Sequence, residues 1–252
     1  MKKKVVCVNY LNTKPLIRGL SQSPYDTEFE LIPENPRVCS EKFIDGTADI
    51  ALVPVATLVS EIKDYYIISD YCIASEGAVD TVCVFSNTEL KDIKKVYLDD
   101  HSKTSQQLTK IIFEDYLNIN PSYEIVDVSQ VELKPTEGAL MIGDKAFAAK
   151  KEYEHFYDLG ELWTKFTSLP FVYAVWIARE ENELIESKFN EGVRLGLEQI
   201  PEIIAEIDST HPHIDLQAYY NDNIKYNLDY RKKAGLKLFL DTLHAKSIPS
   251  LS

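Results

Sequence analysis

The chain has 252 residues, 45% of them hydrophobic and 27% charged, which fits one large globular domain or two lobes of ordinary size. Its formal net charge of −13 argues against nucleic acid or an anionic membrane surface as partner, since both repel an acidic protein. No apolar run nears the roughly 20 residues of a membrane span, and the run after Lys4 is too short for the roughly 7–15 apolar residues of a secretory signal, so a cytoplasmic protein is expected.

Val5-Val6-Cys7-Val8 is a short apolar run of the kind that forms a strand buried on both faces. It leads into Asn9-Tyr10-Leu11-Asn12-Thr13-Lys14-Pro15-Leu16, where Pro15 sits as a first helical turn accepts it and a helical spacing begins at Leu16. Asn12 and Thr13 therefore stand at the carboxyl end of the first strand, where open α/β sheets bind ligands. Two readings are open there: neutral groups that orient a small polar molecule, or caps of the following helix.

Residues 28–32 alternate like a half-buried strand ended by Pro33 and Pro36, and 38–45 spell a short helix stopped at Gly46. The phrase Gly46-Thr47-Ala48-Asp49-Ile50-Ala51 enters a buried strand, followed by a helix through Leu58 and Ile62; two-lobed solute-binding folds often carry it beside their cleft. Further strands are expected over 65–71 and 81–85, the second opening on Thr81, with a polar turn over 73–78 that holds Ser75. With no helix between them, these two strands mark a crossing from one lobe to the other. Cys7, Cys39, Cys72 and Cys83 form no CxxC pair and no zinc spacing, which reads as buried free thiols.

A strand over 95–98 precedes Asp99-Asp100-His101-Ser102-Lys103-Thr104-Ser105 and a helix over 106–116. Backbone N–H groups at such a helix start make a carboxylate or phosphate site, to which Ser102, Thr104 and Ser105 would add hydroxyls; N-capping alone is the other reading. His101 is either a base beside that cluster or a solvated loop histidine. A buried strand over 138–143 ends at Asp144, which caps a helix over 146–153 or faces the cleft. Residues 171–178 form the longest strand-like run, read as the return crossing. Helical spacing follows over 182–207, with a break at Pro201, and then two helices over 216–228 and 230–243, whose Tyr219 and Tyr220 read as packing surface. His211-Pro212-His213 reads as an exposed turn rather than a metal site, and no GxSxG, P-loop or GxGxxG occurs.

Four pieces share one resemblance: residues 9–16, Ser102-Lys103-Thr104-Ser105, Ile142-Gly143-Asp144-Lys145-Ala146, and the stretch from Asp158-Leu159-Gly160 through Trp163 to Thr167-Ser168-Leu169-Pro170-Phe171 and Trp176. In order and spacing they resemble the chorismate dehydratase family of the futalosine route to menaquinone, over nearly the whole chain and faintest in its last 70 residues. The resemblance implies an α/β, two-lobed type II periplasmic-binding-protein-like fold, each lobe a mixed sheet flanked by helices, with the ligand cleft between them. The lobes are expected to be residues 1–83 with 175–252, and residues 84–174. Lys103 stands where the family usually has Arg, exchanging a bidentate fork for a point charge. Ser168 stands where it usually has Gly, and Glu76-Gly77-Ala78-Val79 where it has an Asp-Gly-Pro-Val turn.

The activity the resemblance implies is that of a hydro-lyase removing water from chorismate to give 3-[(1-carboxyvinyl)oxy]benzoate, without metal or organic cofactor. Asn12 is then the catalytic residue. Thr13, Ser75, Thr81, Ser102, Thr104, Ser105, Asp144, Thr167 and Leu169 are the substrate-binding set. No strong side-chain base falls on the shared motifs, so the substrate's own enolpyruvyl carboxylate is expected to take the proton. Two alternatives are a non-catalytic cytoplasmic module that binds or senses a small carboxylate, and the sister enzyme that forms a dihydroxynaphthoate later in the same route. The first-strand phrase of the sister is typically of a Cys-Pro-Asn-Asp-Thr type, unlike residues 9–15 here.

Overall fold

The computed structural model describes residues 2–247. Strand β1 (Lys3–Val8) buries its last four residues and turns through a 3₁₀ turn at Leu11–Thr13 into α1 (Lys14–Arg18), with Pro15 in the first turn. Strand β2 (Phe29–Glu34) runs through Pro33 instead of stopping there, which an edge strand tolerates because that N–H position needs no partner on the open side. Helix α2 (Pro36–Ile44) is capped by Asn35, whose side chain accepts from Val38 N–H at 3.0 Å, and it ends before Gly46 at φ +81°. The fully buried β3 (Ile50–Pro54) is followed by a single turn, α3 (Thr57–Ser60). Strand β4 (Tyr66–Ser75) is longer than its sequence suggests: Ile73, Ala74 and Ser75, expected in a turn, are paired to the return strand.

After residues 76–81 the chain enters a second sheet with β5 (Val82–Ser86), β6 (Lys95–Asp99), α4 (Lys103–Ile111, continuing as a π turn to Tyr116), β7 (Ser122–Val126) and β8 (Glu137–Ile142). Helix α5 (Lys145–Ala149), β9 (His155–Asp158) and α6 (Leu159–Thr167) complete this part. Strand β10 (Phe171–Ala178), buried at all eight positions, returns to the first sheet. Helices α7 (Glu183–Glu198) and α8 (Ile200–Ile207) break at Gln199 with Pro201 in the first turn of α8. Helix α9 (Leu216–Ala218), the π turn Tyr219–Asn223 and strand β11 (Lys225–Asn227) replace the first of the two helices expected there, and α10 (Tyr230–Ser247) is the second.

The first sheet has the order β11-β4-β10-β3-β1-β2, with β1 parallel to β2 and β3, and β10 antiparallel to both β3 and β4. The second has the order β7-β6-β8-β5-β9, with β6 parallel to β7 and β8, and β5 antiparallel to β8 and β9. Both are therefore mixed sheets. The lobe boundaries expected after residues 83 and 174 fall inside β5 and β10. Each of these strands stays in one sheet, because every rung of its ladder is made there; the chain changes sheet over 76–81 and 168–170. All four cysteines are buried and unpaired, and burial pushes the Cys7 thiol up to about 12.

Candidate functional site

The carboxyl ends of β1 and β3 in the first sheet meet those of β6 and β8 in the second around one cavity. Asn12 enters it from the turn after β1, and Ser102 and Ser105 from the start of α4, so the amide and the hydroxyl cluster share one pocket as their strand-end positions imply. Thr81, at the entry to β5, lines it too. The remaining wall is largely apolar, with Val8, Pro36, Pro54, Ile73, Val79 and Ile142 beside two tyrosines, Tyr10 and Tyr173. No lysine, arginine, histidine, aspartate or glutamate is among the residues that line it.

Two C-terminal tyrosines hold the Asn12 turn. Tyr220 donates to Leu11 O at 2.8 Å, and Tyr226 to Asn12 O at 2.9 Å. The buried Thr13 hydroxyl donates to Asn12 Oδ1 at 3.3 Å, so Thr13 supports the amide instead of lining the cavity. At α4, Ser102 caps the helix by accepting from Ser105 N–H at 3.3 Å, and the two hydroxyls lie 3.0 Å apart. One hydroxyl hydrogen is used between them, which leaves the other for a ligand. The N–H groups of Lys103 and Thr104, in the first turn, have no intrahelical acceptor.

Other expected contacts lie elsewhere. Thr104 Oγ1 accepts from the buried Ala56 N–H at 3.1 Å, tying α4 to the end of β3, and Lys103 pairs with Glu61 of the first-sheet half. Neither side chain lines the cavity. Ser75 is fully buried behind Tyr173, its hydroxyl 3.1 Å from the phenol. Gly160 packs on this pair so closely that a Cβ there would lie 2.5 Å from Ser75 Oγ. Asp144 sits behind Tyr10; burial raises its carboxyl, opposed by the Leu11 N–H and more weakly by His211 and Lys14. Thr167 and Leu169, expected to touch substrate, instead close the end of α6: Thr167 Oγ1 donates to Trp163 O at 2.8 Å and accepts from Leu169 N–H at 3.1 Å. Ser168 between them is left-handed at φ +59°.

His101 is bonded at 2.8 Å through Nδ1 to the fully buried Asp99, which also pairs with Lys145. Asp99, Asp100 and His101 form the one group of three potential metal ligands found among the described residues, and its buried member is already neutralised by Lys145. His211 bonds Thr210 Oγ1 at 2.8 Å in the turn after α8.

Sequence reasoning passed over three residues of the site. Burial pushes the Tyr10 phenol up to about 12, with Asp99 and Asp144 adding to it, so Tyr10 is a neutral donor at any working pH. Burial likewise drives Tyr173 well above its ordinary value. Asp158 accepts from four N–H groups: Asp80 at 2.7 Å, Gly160 at 2.9 Å, Val79 at 3.0 Å and Glu161 at 3.1 Å. It caps α6 and at the same time pins the crossing segment that delivers Thr81. The signal for it was present in Asp158-Leu159-Gly160, an acidic residue directly before a helical run.

Residues 4–245 match the model of the menaquinone biosynthesis family. The chain belongs to that family. Among relatives of this menaquinone family member is a chorismate dehydratase of Thermus thermophilus, 28% identical over 255 residues, covering 93% of this chain and 92% of that one. Its fold is that of periplasmic binding proteins. A Candida albicans protein described as having the generic periplasmic binding protein fold superposes with a TM-score of 0.65 at 12% identity, covering 100% of this chain and 92% of that one. The periplasmic aliphatic sulphonate binding protein of Escherichia coli gives 0.63 at 13% identity, covering 99% and 94%. A protein of Archaeoglobus fulgidus gives 0.72 at 15% identity, covering 98% of both chains. Among the described residues, no helix of the family member is long and apolar enough to cross a membrane.

Proposed function

We propose that this protein is a chorismate dehydratase, a carbon–oxygen lyase that converts chorismate to 3-[(1-carboxyvinyl)oxy]benzoate and water in menaquinone biosynthesis. The observation that carries the reading is the uncharged lining of the cavity, which offers hydrogen-bond donors and no side chain able to accept a proton near neutral pH. An elimination run there needs a base carried in by the substrate. Chorismate brings one: its enolpyruvyl carboxylate lies next to the ether carbon whose hydrogen the conjugated ring acid makes acidic.

In the proposed step that hydrogen leaves as a proton to the enolpyruvyl carboxylate, and its electron pair forms the new ring double bond. The neighbouring C–O bond breaks with its pair on oxygen, and the proton then joins the departing hydroxide as water. The aromatic ring drives the reaction, so the protein has mainly to hold an elimination-ready shape and stabilise developing charge. The start of α4, with Ser102 and Ser105, suits a carboxylate, because the helix dipole and free N–H groups favour an anion that the net charge of the chain repels. The Asn12 amide suits the departing hydroxyl. We read the two sheets as two lobes that close on the substrate.

Incubating the purified protein with chorismate should produce a new aromatic absorbance and a product lighter by one water. Chorismate that is bound but returned unchanged would leave a binding protein of the same fold, and the reaction would be withdrawn. An analogue lacking the enolpyruvyl carboxylate should not be dehydrated; turnover at the rate of chorismate would remove the substrate-assisted mechanism.

A further inference from the structure

Tyr219, in the π turn after α9, is 1% exposed, yet its hydroxyl has no hydrogen-bond partner among the described residues. A buried, unpartnered hydroxyl is unfavourable for folding, and well-packed proteins retain few of them. Its ring is fixed edge-on against Phe147, with centroids 5.2 Å apart, and lies beside Tyr220, so the oxygen cannot swing away to find a partner. It is directed at the side chains of Asn12 and Thr81, both of which line the cavity, without closing a bond of normal geometry to either. The neighbouring tyrosines of this segment spend their hydroxyls on the backbone of the same turn, Tyr220 on Leu11 O and Tyr226 on Asn12 O. Only Tyr219 keeps its hydrogen in reserve.

A side-chain amide can lie in either of two orientations related by a half-turn, and only one of them turns its N–H₂ toward a ligand. Thr13 Oγ1 donates to Asn12 Oδ1 at 3.3 Å, a long bond that holds this orientation weakly. We propose that Tyr219 is a positioning residue of the dehydration: its hydroxyl donates to Asn12 Oδ1 when substrate is bound, and so fixes the amide with its N–H₂ toward the departing ring hydroxyl. Tyr219 transfers no proton in this role. Asp144 lies close enough to act on the Tyr219 phenol, and a carboxylate there makes this corner suited to a neutral hydroxyl, with the substrate's carboxylate at the start of α4. The inference rests on the dehydratase reading given above.

The test is a double-mutant cycle on the full chain, with kcat and KM for chorismate measured separately. Tyr219→Phe removes one oxygen and keeps the ring. It should lower kcat about tenfold with KM little changed, the scale of one hydrogen bond. It should leave the denaturant midpoint of unfolding equal or higher, since the hydroxyl it removes has no partner in the folded protein. In an Asn12→Ala background the same substitution should have no further effect on kcat, because a residue acting through Asn12 has nothing left to orient. As a contrast, Tyr220→Phe should lower the unfolding midpoint, because it strips a made bond from Leu11 O. Unchanged kcat in Tyr219→Phe, or a loss that multiplies fully with that of Asn12→Ala, overturns the assignment. A wild-type protein that leaves chorismate intact overturns the reaction and this inference together, whereas an active wild type with an equally active Tyr219→Phe overturns this inference alone.

Discussion

Thr104 Oγ1 accepts a hydrogen bond of 3.1 Å from the backbone N–H of Ala56, and through it the helix that starts the second-sheet side of the site is tied to the strand end of the first. The hydroxyl cluster therefore divides its labour: Ser102 and Ser105 face the cavity, while Thr104 holds the two halves together.

Thr104→Ala should leave a buried N–H without its acceptor and lower the unfolding free energy by about 1–3 kcal/mol. Thr104→Ser keeps the oxygen and should recover most of that loss. Denaturant titration of the three proteins measures it; equal stability of wild type and Thr104→Ala would mean that the tie contributes nothing.

Ser105→Ala acts on the ligand side. Losing one hydrogen bond to a carboxylate should weaken chorismate binding roughly 10–100-fold while the unfolding midpoint moves little. Calorimetric titration reads this directly, and an unaltered dissociation constant would reduce the hydroxyl to a companion of the Ser102 cap.

Asn12→Ala should lower turnover by about two to three orders of magnitude if the amide steadies charge on the leaving oxygen, in line with the loss of other preorganised donors. His101→Asn should keep most of the activity, because His101 is committed to Asp99 and does not line the cavity. Rates of appearance of the aromatic product compare the two; a dead His101→Asn would place a base where the uncharged lining has none.

Ser168 holds φ +59° at the end of α6, at the position where the resembled family usually has Gly. The left-handed region is strained for a residue with a Cβ, so Ser168→Gly should stabilise the fold by about 0.5–1 kcal/mol, net of the larger chain entropy of glycine when unfolded. Thermal unfolding checks it; a lower melting temperature would mean that the seryl side chain contributes more than the strain costs.

Burial raises the Asp144 carboxyl above the ordinary 3.8. The folded protein thus keeps a proton over a range in which the unfolded chain has released it. The stability that Asp144 contributes is complete at low pH and is lost as pH rises through the raised value. Asp144→Asn carries no such penalty, so its stability relative to wild type should improve as pH rises above the ordinary carboxylate range. A difference between the two proteins that does not change with pH would show that Asp144 titrates alike in both states.

The strand ends of the site were legible in the sequence because apolar runs announce buried strands, and polar residues directly after them sit at carboxyl ends. That reading put Asn12, Ser102 and Ser105 beside the cavity they line, whereas Thr81, at the entry to β5, was named only through the resemblance. Thr104 was not separable from its neighbours, since a hydroxyl that bonds Ala56, 48 residues away, looks the same in one dimension as one that faces a ligand. Thr167 and Leu169 misled for a related reason: a shared motif marks what a fold keeps, and here it keeps a helix end. Strands β7 and β9 escaped notice because they lie at the edges of their sheet with exposed residues among them, so neither shows an apolar run. The tyrosines after α9 looked like a packing stripe, and only the folded chain reveals that their hydroxyls reach residues 11 and 12.

Strand β10 lies between β3 and β4 in the first sheet, although it comes nearly a hundred residues after β4 in the chain. A ribosome releases the amino-terminal half of this protein well before the strand that must be inserted into it. The second sheet is one uninterrupted stretch and has everything it needs by residue 158. The part of the molecule made first is therefore the part finished last, and the turn that carries Asn12 waits for hydroxyls that emerge only with residues 220 and 226. A nascent chain halted before that point would carry every residue of the cavity wall and still have no fixed amide in it.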